Sequence, residues 1–371
     1  MDMIRRSMGP RQRGFSIVEV MVGVVIALIA VLVIYQVFAT SEQLKRNTTG
    51  ASEAQQTGLI STFMLSIEIG NAGNAIATAA QDLATCPNTG DMATIMRPLP
   101  VVITAGATND TPDAFVTNYS VSNTRVTTAP FLGNAAAGAN YQVESVVGFR
   151  PGDMIVAISA AGQCARSTIT AVTPDAPPNA IGRVTIAHTG AAVAFDDATV
   201  LFNMGPANRT QRVLYDVVNP VTSMPLCTPG SPCVLRSTNL FDAVPTPNPI
   251  ASNIVNFKIQ YGIDNNNDGR LDTWVPATGA WLPATLMAAP LPVINSIKAV
   301  RIGIIVQSEQ FDRDVGDFDW VLFDCEDPIK ANCASRLTGT IAATTSPAGN
   351  WRYRIYETVV PLRNHLWNRQ L

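Results

Sequence analysis

The most apolar part of the chain lies close to its start. Residues 20–39 contain no charged side chain and a single amide, that of Gln36. A helix of about 20 residues spans about 30 Å, the hydrocarbon thickness of a bilayer. Residues 1–14 carry four arginines and one acidic residue, and a positive flank of this kind stays in the cytoplasm. The pattern predicts one membrane span, with everything after residue 40 exported.

A helical pattern continues beyond this stretch. Leu59, Phe63 and Ile67 recur at every fourth position, which is the spacing of one helix face. No proline interrupts residues 15–69, and the glycines and asparagines at 70–74 are typical of a helix end. We predict one helix over residues 15–69, with Gly23 and Gly50 as candidate points of flexure.

Alternating apolar positions predict β-strands in the C-terminal part. Residues 255–263 are apolar at every second position, and residues 300–306 and 351–355 repeat the pattern. A period of two with one polar face predicts an antiparallel sheet that is covered on one side. Shorter apolar runs such as 153–159 predict further strands, and the proline-rich residues 244–249 separate the two regions.

Composition excludes several classes of protein. Hydrophobic residues make up 47% of the chain and charged residues 14%, so there is enough apolar surface for a core and a disordered chain is excluded. A net charge of −3 argues against nucleic-acid binding. The chain has only two histidines, His188 and His365, which leaves no room for a multi-histidine zinc site.

The six cysteines fit an exported protein. Their number is even, none forms a C-x-x-C motif, and disulfides form in oxidising compartments. Two pairs are close in sequence and flank turn-forming residues, which leaves a third pair by elimination. Other connectivities and unpaired buried thiols stay open as alternatives. The preferred pairs are Cys227 with Cys233, Cys325 with Cys333, and Cys86 with Cys164.

One polar loop has the spacing of a calcium site. Oxygen-bearing side chains alternate along it, and Gly269 stands at the position of the turn in an EF-hand-like loop. The bidentate acid is missing, because Val275 occupies its position. A polar hairpin turn is the alternative, and no other cofactor is expected. The candidate calcium ligands are Asp264, Asn266, Asp268, Arg270 and Asp272.

A second acidic cluster raises the alternative of a membrane-anchored enzyme. Asp312, Asp314, Asp317 and Asp319 surround aromatic residues, and paired carboxylates can perform acid–base catalysis. The chain shows no nucleophile elbow or phosphate loop beside them. A solvated acidic turn is therefore favoured, and we predict that the protein is not an enzyme.

The N-terminal junction carries a specific motif. Residues 14–19 read Gly-Phe-Ser-Ile-Val-Glu and directly follow the arginines. This closely resembles the processing site of type IV prepilins and of the related secretion pseudopilins. The resemblance implies that a prepilin peptidase cuts between Gly14 and Phe15, that the new amine of Phe15 is methylated, and that Glu19 takes part in subunit assembly.

The physical chemistry of Glu19 agrees with that role. A carboxylate in a membrane helix costs about 2.5–3.5 kcal/mol at the bilayer centre. The amine of Phe15 of a neighbouring subunit can neutralise it on assembly. A secretory signal cut after Ala39 and a simple signal anchor are alternatives, but neither requires Gly14 or Glu19.

The C-terminal part resembles the PilW-type minor pilins. The matching features are residues 261–264 with the loop that follows, the strand at 297–302, and residues 360–364. The resemblance implies an α+β fold, in which a long spine helix packs on a β-rich head with an antiparallel sheet. Its implied segments are a leader 1–14, a transmembrane half-helix 15–40, a periplasmic half-helix 41–69, a head region 70–243 and a C-terminal β region 244–371.

The resemblance also implies a function. Such proteins prime pilus assembly at or near the tip, and support adhesion or motility. The implied partners are the prepilin peptidase, other minor pilins, the major pilin, the inner-membrane assembly platform and a tip adhesin. The implied location is the inner membrane, with a periplasmic head, and then the pilus. Major pilins commonly carry a proline in the membrane half, which this chain lacks. A type II secretion pseudopilin is the alternative.

Overall fold

The chain divides into a unit that ends at Ala51 and a unit that begins at Ser52. The computed structural model describes residues 14, 16–74, 76, 79–86, 99–120, 128–145, 147–174, 183–190, 193–207, 211–220, 233–242, 244–312, 315–325, 333, 335–345 and 348–366.

Helix α1 comprises Ile17–Asn71, 55 residues, which confirms the predicted long helix and shows it continuous through Gly23 and Gly50. Over residues 17–38 every side chain is exposed, and all of them except Glu19 and Gln36 are non-polar or tyrosine. A helix that is apolar on every side requires an apolar environment all round. The first part of α1 therefore cannot be an ordinary water-exposed helix.

The second part of α1 buries one face against the β-rich head. The buried positions are Ala54, Gly58, Ser61, Leu65 and Ile69, which follow the spacing of one helix face. The first three of these positions, Ala54, Gly58 and Ser61, are small residues because the helix lies very close to the sheet. A Cβ atom on Gly58 would stand 2.0 Å from the ring of Tyr356.

The apolar row that the sequence pattern identified lies on the other side of α1. Leu59, Phe63 and Ile67 are exposed. The prediction of a helix from their spacing was right, but these residues do not form its packing face. The periodicity of large apolar residues marks the outer side here, because close helix–sheet contact selects small residues on the inner side.

The head is built mainly of antiparallel strands. The remaining helices are α2 (Ala80–Ala84), α3 (Pro283–Ala288), α4 (Leu291–Asn295) and α5 (Arg363–Leu366). The strands are β1 (Val101–Thr104), β2 (Ala114–Tyr119), β3 (Ala129–Pro130), β4 (Tyr141–Val143), β5 (Asp153–Ile158), β6 (Cys164–Pro174), β7 (Val184–Gly190), β8 (Val200–Pro206), β9 (Gln211–Val218), β10 (Cys233–Asn239), β11 (Asn248–Ile263), β12 (Thr273–Val275), β13 (Ile297–Asp312), β14 (Phe318–Leu322), β15 (Leu337–Ile341), β16 (Thr344–Thr345) and β17 (Ala348–Pro361).

A large sheet forms the support for the second part of α1. Its order is β1-β2-β9-β10-β11-β13-β17-β16, with β12 on β11, and the neighbouring strands are antiparallel. One face joins the inner face of α1 in a core that includes Leu65, Phe115, Phe257 and Ile302. The predicted antiparallel sheet beneath the helix is confirmed.

The other face of β11 differs from the sequence expectation. Asn256, Lys258 and Gln260, which alternate with the apolar residues, were expected on a polar, uncovered face, but they are buried. The Lys258 ammonium lies 3.0 Å from a carboxylate oxygen of Asp113 and also donates to the Thr111 carbonyl at 2.6 Å. The loop between β1 and β2 thus covers this face, and buried polar groups persist there because each has a partner.

A second, smaller sheet is inserted between β2 and β9. Its order is β3-β8-β5-β6-β7-β4. A bridge between Phe131 and Val143, and a hydrogen bond of 2.8 Å from the Leu132 N–H to the Gln142 carbonyl, join its two edges. The sheet is therefore closed on itself and holds its own apolar core, which includes Tyr141.

Candidate functional site

The start of α1 presents the predicted processing motif. Gly14 is exposed, and the Ser16 carbonyl accepts the N–H groups of Glu19 at 3.0 Å and Val20 at 3.1 Å. These contacts begin the helix directly after the motif. Phe15, the predicted methylation site, lies outside the described residues. A peptidase would meet an exposed glycine next to a helix start.

Glu19 stands in the first turn of α1, and its side chain is exposed. Its neighbours Ile17 and Val18 are exposed as well. Among the residues that the structure describes, α1 is the one helix long and apolar enough to cross a membrane. Glu19 is the one charged residue of the apolar stretch, so whatever covers the stretch must also accommodate a carboxylate.

The head-packed part of α1 is also held by a polar contact that the sequence reasoning missed. The Tyr119 hydroxyl on β2 donates to a carboxylate oxygen of Glu68 at 3.2 Å. Burial, together with the Glu68 carboxylate, raises the pKa of Tyr119 and of Tyr215. Both phenols therefore stay protonated at neutral pH. A glutamate at the end of an apolar helix segment was the available sign of such a contact.

Two of the predicted disulfides are present. Cys86 is bonded to Cys164 across 78 residues of sequence, and Cys325 to Cys333 across 8. The first joins the segment that contains α2 to the inserted sheet. Cys233 is also disulfide-bonded, whereas Cys227, its predicted partner, lies outside the described residues.

The predicted calcium loop connects β11 to β12 and is arranged as a turn. The two carboxylate oxygens of Asp264 accept the N–H groups of Asp268 at 3.1 Å and Gly269 at 2.9 Å. Asp268 accepts the N–H of Arg270 at 2.8 Å, and Asp272 accepts that of Asn265 at 2.7 Å.

The loop residues thus bind their own backbone. The Asn266 amide joins them, because its oxygen accepts the Asp268 N–H at 3.1 Å. Within the described ranges, no group of three or more acidic, histidine or cysteine side chains converges as a metal site. The arrangement is that of the polar hairpin turn, and calcium binding at this loop stays a prediction.

The described aspartates of the acidic cluster around residue 315 contact different partners. Asp312 pairs with Arg352 at 2.7 Å, Asp317 accepts the Ala343 N–H at 2.8 Å, and Asp319 accepts the Thr340 hydroxyl at 2.7 Å. Asp314 lies outside the described residues. Each described carboxylate of this cluster thus has a structural partner of its own, as in a polar turn.

Comparison with protein families gives two matches. The family described as Type IV Pilus-assembly protein W matches residues 228–364, and the Prokaryotic N-terminal methylation motif matches residues 9–35. The two matches support a type IV pilin of the PilW type. No curated protein and no solved structure gave a significant match.

The two matches account for separate parts of this PilW-type chain. The first covers β10–β17, which belong to the large sheet except for β14 and β15, a two-stranded sheet of their own. The second covers the processing motif and the start of α1. The inserted closed sheet lies outside both. Pilins are structural proteins, and the methylation motif with the apolar helix fits a membrane-anchored pilin.

Proposed function

We propose that this chain is a minor pilin of a type IV pilus. In this proposal it is cut by the prepilin peptidase between Gly14 and Phe15 and is methylated on Phe15. It then joins the pilus at or near its tip, where it primes assembly and supports adhesion or motility. Other minor pilins, the major pilin, the assembly platform of the inner membrane and a tip adhesin are its proposed partners.

The observation that carries this proposal is the exposed apolar surface of residues 17–38. Its large side chains are all exposed, and burying each of them is worth about 1.5–3 kcal/mol. Membrane lipid covers such a surface before assembly. In a filament the same surface must be covered by other subunits, so the helix suits a protein that passes from one environment to the other.

Glu19 favours the passage of the helix from the membrane into the filament. In lipid its carboxylate is unfavourable, whereas beside the amine of a neighbouring, processed subunit it forms an ion pair. The difference in free energy favours the assembled state. Removing one partner of a desolvated pair leaves the other charge unpaired, at a cost of about 3–5 kcal/mol.

A position at the tip is supported by the head. The closed sheet, β3–β8, lies outside residues 228–364, which the PilW family model matches. A subunit that repeats along a filament must fit the same space at every step, whereas an end subunit has no such restriction. The pseudopilin alternative shares the processing motif, and the match to a pilus-assembly family favours the pilus.

Replacing Glu19 tests the proposal. Glu19→Ala should be processed and inserted normally, yet isolate with fewer partner pilins and reduce the number of surface pili. Glu42→Ala, on the same helix but beyond the apolar stretch, is the matched control and should behave as wild type. Normal piliation together with normal partner recovery in the Glu19→Ala strain would refute the assembly role.

A further inference from the structure

The large sheet has one edge along which no described strand lies. Its last long strand, β17, pairs with β13 on one side over most of its length. On the other side β16 pairs only with Ala348 and Gly349. Residues 354–361, which we call the open edge, therefore have a strand beside them on one side only, within the part of the chain that the structure describes.

The hydrogen-bond pattern shows which main-chain groups of the open edge face outward. The Leu362 N–H donates to the Lys298 carbonyl at the end of β13 at 2.9 Å, and the pairing of the two strands has no register shift along residues 353–361. Main-chain groups alternate in direction along an antiparallel strand, so the even-numbered residues bond to β13. The residues whose N–H and C=O groups point away from β13 are Ile355, Glu357 and Val359.

The usual protections of a sheet edge are weak here. Proteins protect such edges with covering groups, prolines, bulges or charged side chains. At the opposite edge the Tyr261 hydroxyl accepts the Ile103 N–H of β1 at 2.6 Å. The open edge has no bulge, and Pro361 stands at its end rather than within it. The Glu357 carboxylate accepts the Phe323 N–H at 2.8 Å, so this charge is engaged by the head itself.

We propose that the open edge binds an extended segment of another protein, which pairs with β17 as an additional strand. In strand addition of this kind, main-chain hydrogen bonds provide affinity and alternate side chains provide specificity. Three outward-facing residues match a partner segment of about five residues. The proposal goes beyond the role of the chain as a pilin subunit and does not depend on cleavage at Gly14.

The side chains beside the open edge define the chemistry of the segment. Arg354 is exposed and forms no ion pair among the described residues, and Val359 is 54% exposed. Opposite charges and apolar β-branched side chains are favourable cross-strand neighbours. The segment should therefore carry an aspartate or glutamate beside Arg354 and a β-branched or aromatic residue beside Val359.

A second copy of this chain is a poor occupant. The Gly58 position of α1 lies at Tyr356, and the Asn364 amide donates to the Asn71 carbonyl at 3.2 Å, so α1 and β17 run in the same direction. Antiparallel pairing, which this sheet uses throughout, would make the α1 helices of two copies antiparallel. Two chains anchored alike in one membrane cannot adopt that arrangement.

Photocrosslinking in cells tests the pairing in the full chain. Benzoylphenylalanine replaces Arg354 or Val359, and the control position is Val147, 65% exposed in the loop between β4 and β5. Both edge positions should crosslink to one segment of one partner, at points about five residues apart, because paired strands advance together. Adducts at unrelated segments, within the same chain, with a second copy or with phospholipid alone, or equal adducts from Val147, would overturn the proposal.

A proline substitution separates main-chain pairing from a side-chain contact. Val359→Pro removes an outward-facing N–H and leaves the bonds to β13, just as Pro361 does two residues later. It should reduce the crosslink from position 354 about tenfold, whereas Val359→Ala, which keeps the N–H, should retain it. Both variants should keep the Cys86–Cys164 disulfide by mass. Equal crosslinking in the two variants would overturn the main-chain pairing.

Discussion

Residues 17–38 and residues 54–71 belong to one helix, yet they meet their surroundings differently. The first part is apolar on every side and fully exposed, whereas the second buries a narrow inner face of mostly small residues. The first can therefore exchange one apolar environment for another. The second packs on the head with one side, and its other side, which includes Leu59, Phe63 and Ile67, is exposed. One helix thus combines an exposed apolar segment with a segment that packs on the head.

The largest effect on stability should come from the inner face. Leu65 is fully buried between α1 and the large sheet, and Leu65→Ala should lower the free energy of unfolding by about 2–5 kcal/mol. Urea denaturation of the detergent-purified chain, followed by tryptophan fluorescence, measures this. Phe63→Ala, two residues away on the outer side, should stay within about 0.5 kcal/mol of wild type. Equal losses would contradict the assignment of the two faces.

A smaller effect is expected at Gly58. Alanine normally stabilises a helix by about 1 kcal/mol relative to glycine, but here its Cβ would stand 2.0 Å from the Tyr356 ring. Overpacking costs about 1–3 kcal/mol, so Gly58→Ala should destabilise the head. In a Tyr356→Ala background the same change should become neutral or favourable. Gly23→Ala, with nothing within 4 Å, is the control. Stabilisation by Gly58→Ala alone would show that α1 does not lie so close to the sheet.

The smallest effect on stability is expected from the hydrogen bond between Tyr119 and Glu68, which joins the second part of α1 to β2. Tyr119→Phe removes the hydroxyl that donates to Glu68 and should cost about 1 kcal/mol in unfolding free energy. Tyr35→Phe, at an exposed position in the first part of α1, should cost nothing measurable. If the two changes had the same effect, the Tyr119–Glu68 contact would not contribute to holding the helix.

The sequence predicted what depends on local pattern. The helix, the alternating strands and the Cys325–Cys333 disulfide could be inferred from spacing. The Cys86–Cys164 disulfide was inferred by elimination. The buried face of α1 could not, because small residues such as Gly58 and Ser61 give no hydrophobic signal. The burial of Lys258 depends on Asp113, far away in sequence, which no periodicity reveals.

The closure of the inserted sheet was also beyond sequence reasoning. It depends on Phe131 meeting Val143, and these residues look like ordinary loop and strand positions. At the candidate site, Gly14 and Glu19 were identified because their motif is local. The sequence pattern showed the row Leu59, Phe63 and Ile67, but not that these side chains are exposed. Their exposure depends on which side of α1 packs against the head.

The central claim, that this PilW-type chain is a processed pilin, is tested most directly by the intact mass of the protein isolated from its own membranes. We predict a chain that begins at Phe15, carries one added methyl group and has 371 − 14 = 357 residues. Gly14→Val should shift the product to the unprocessed mass. A wild-type protein that retains Met1 to Gly14, or one that is cut after Ala39, would contradict the account.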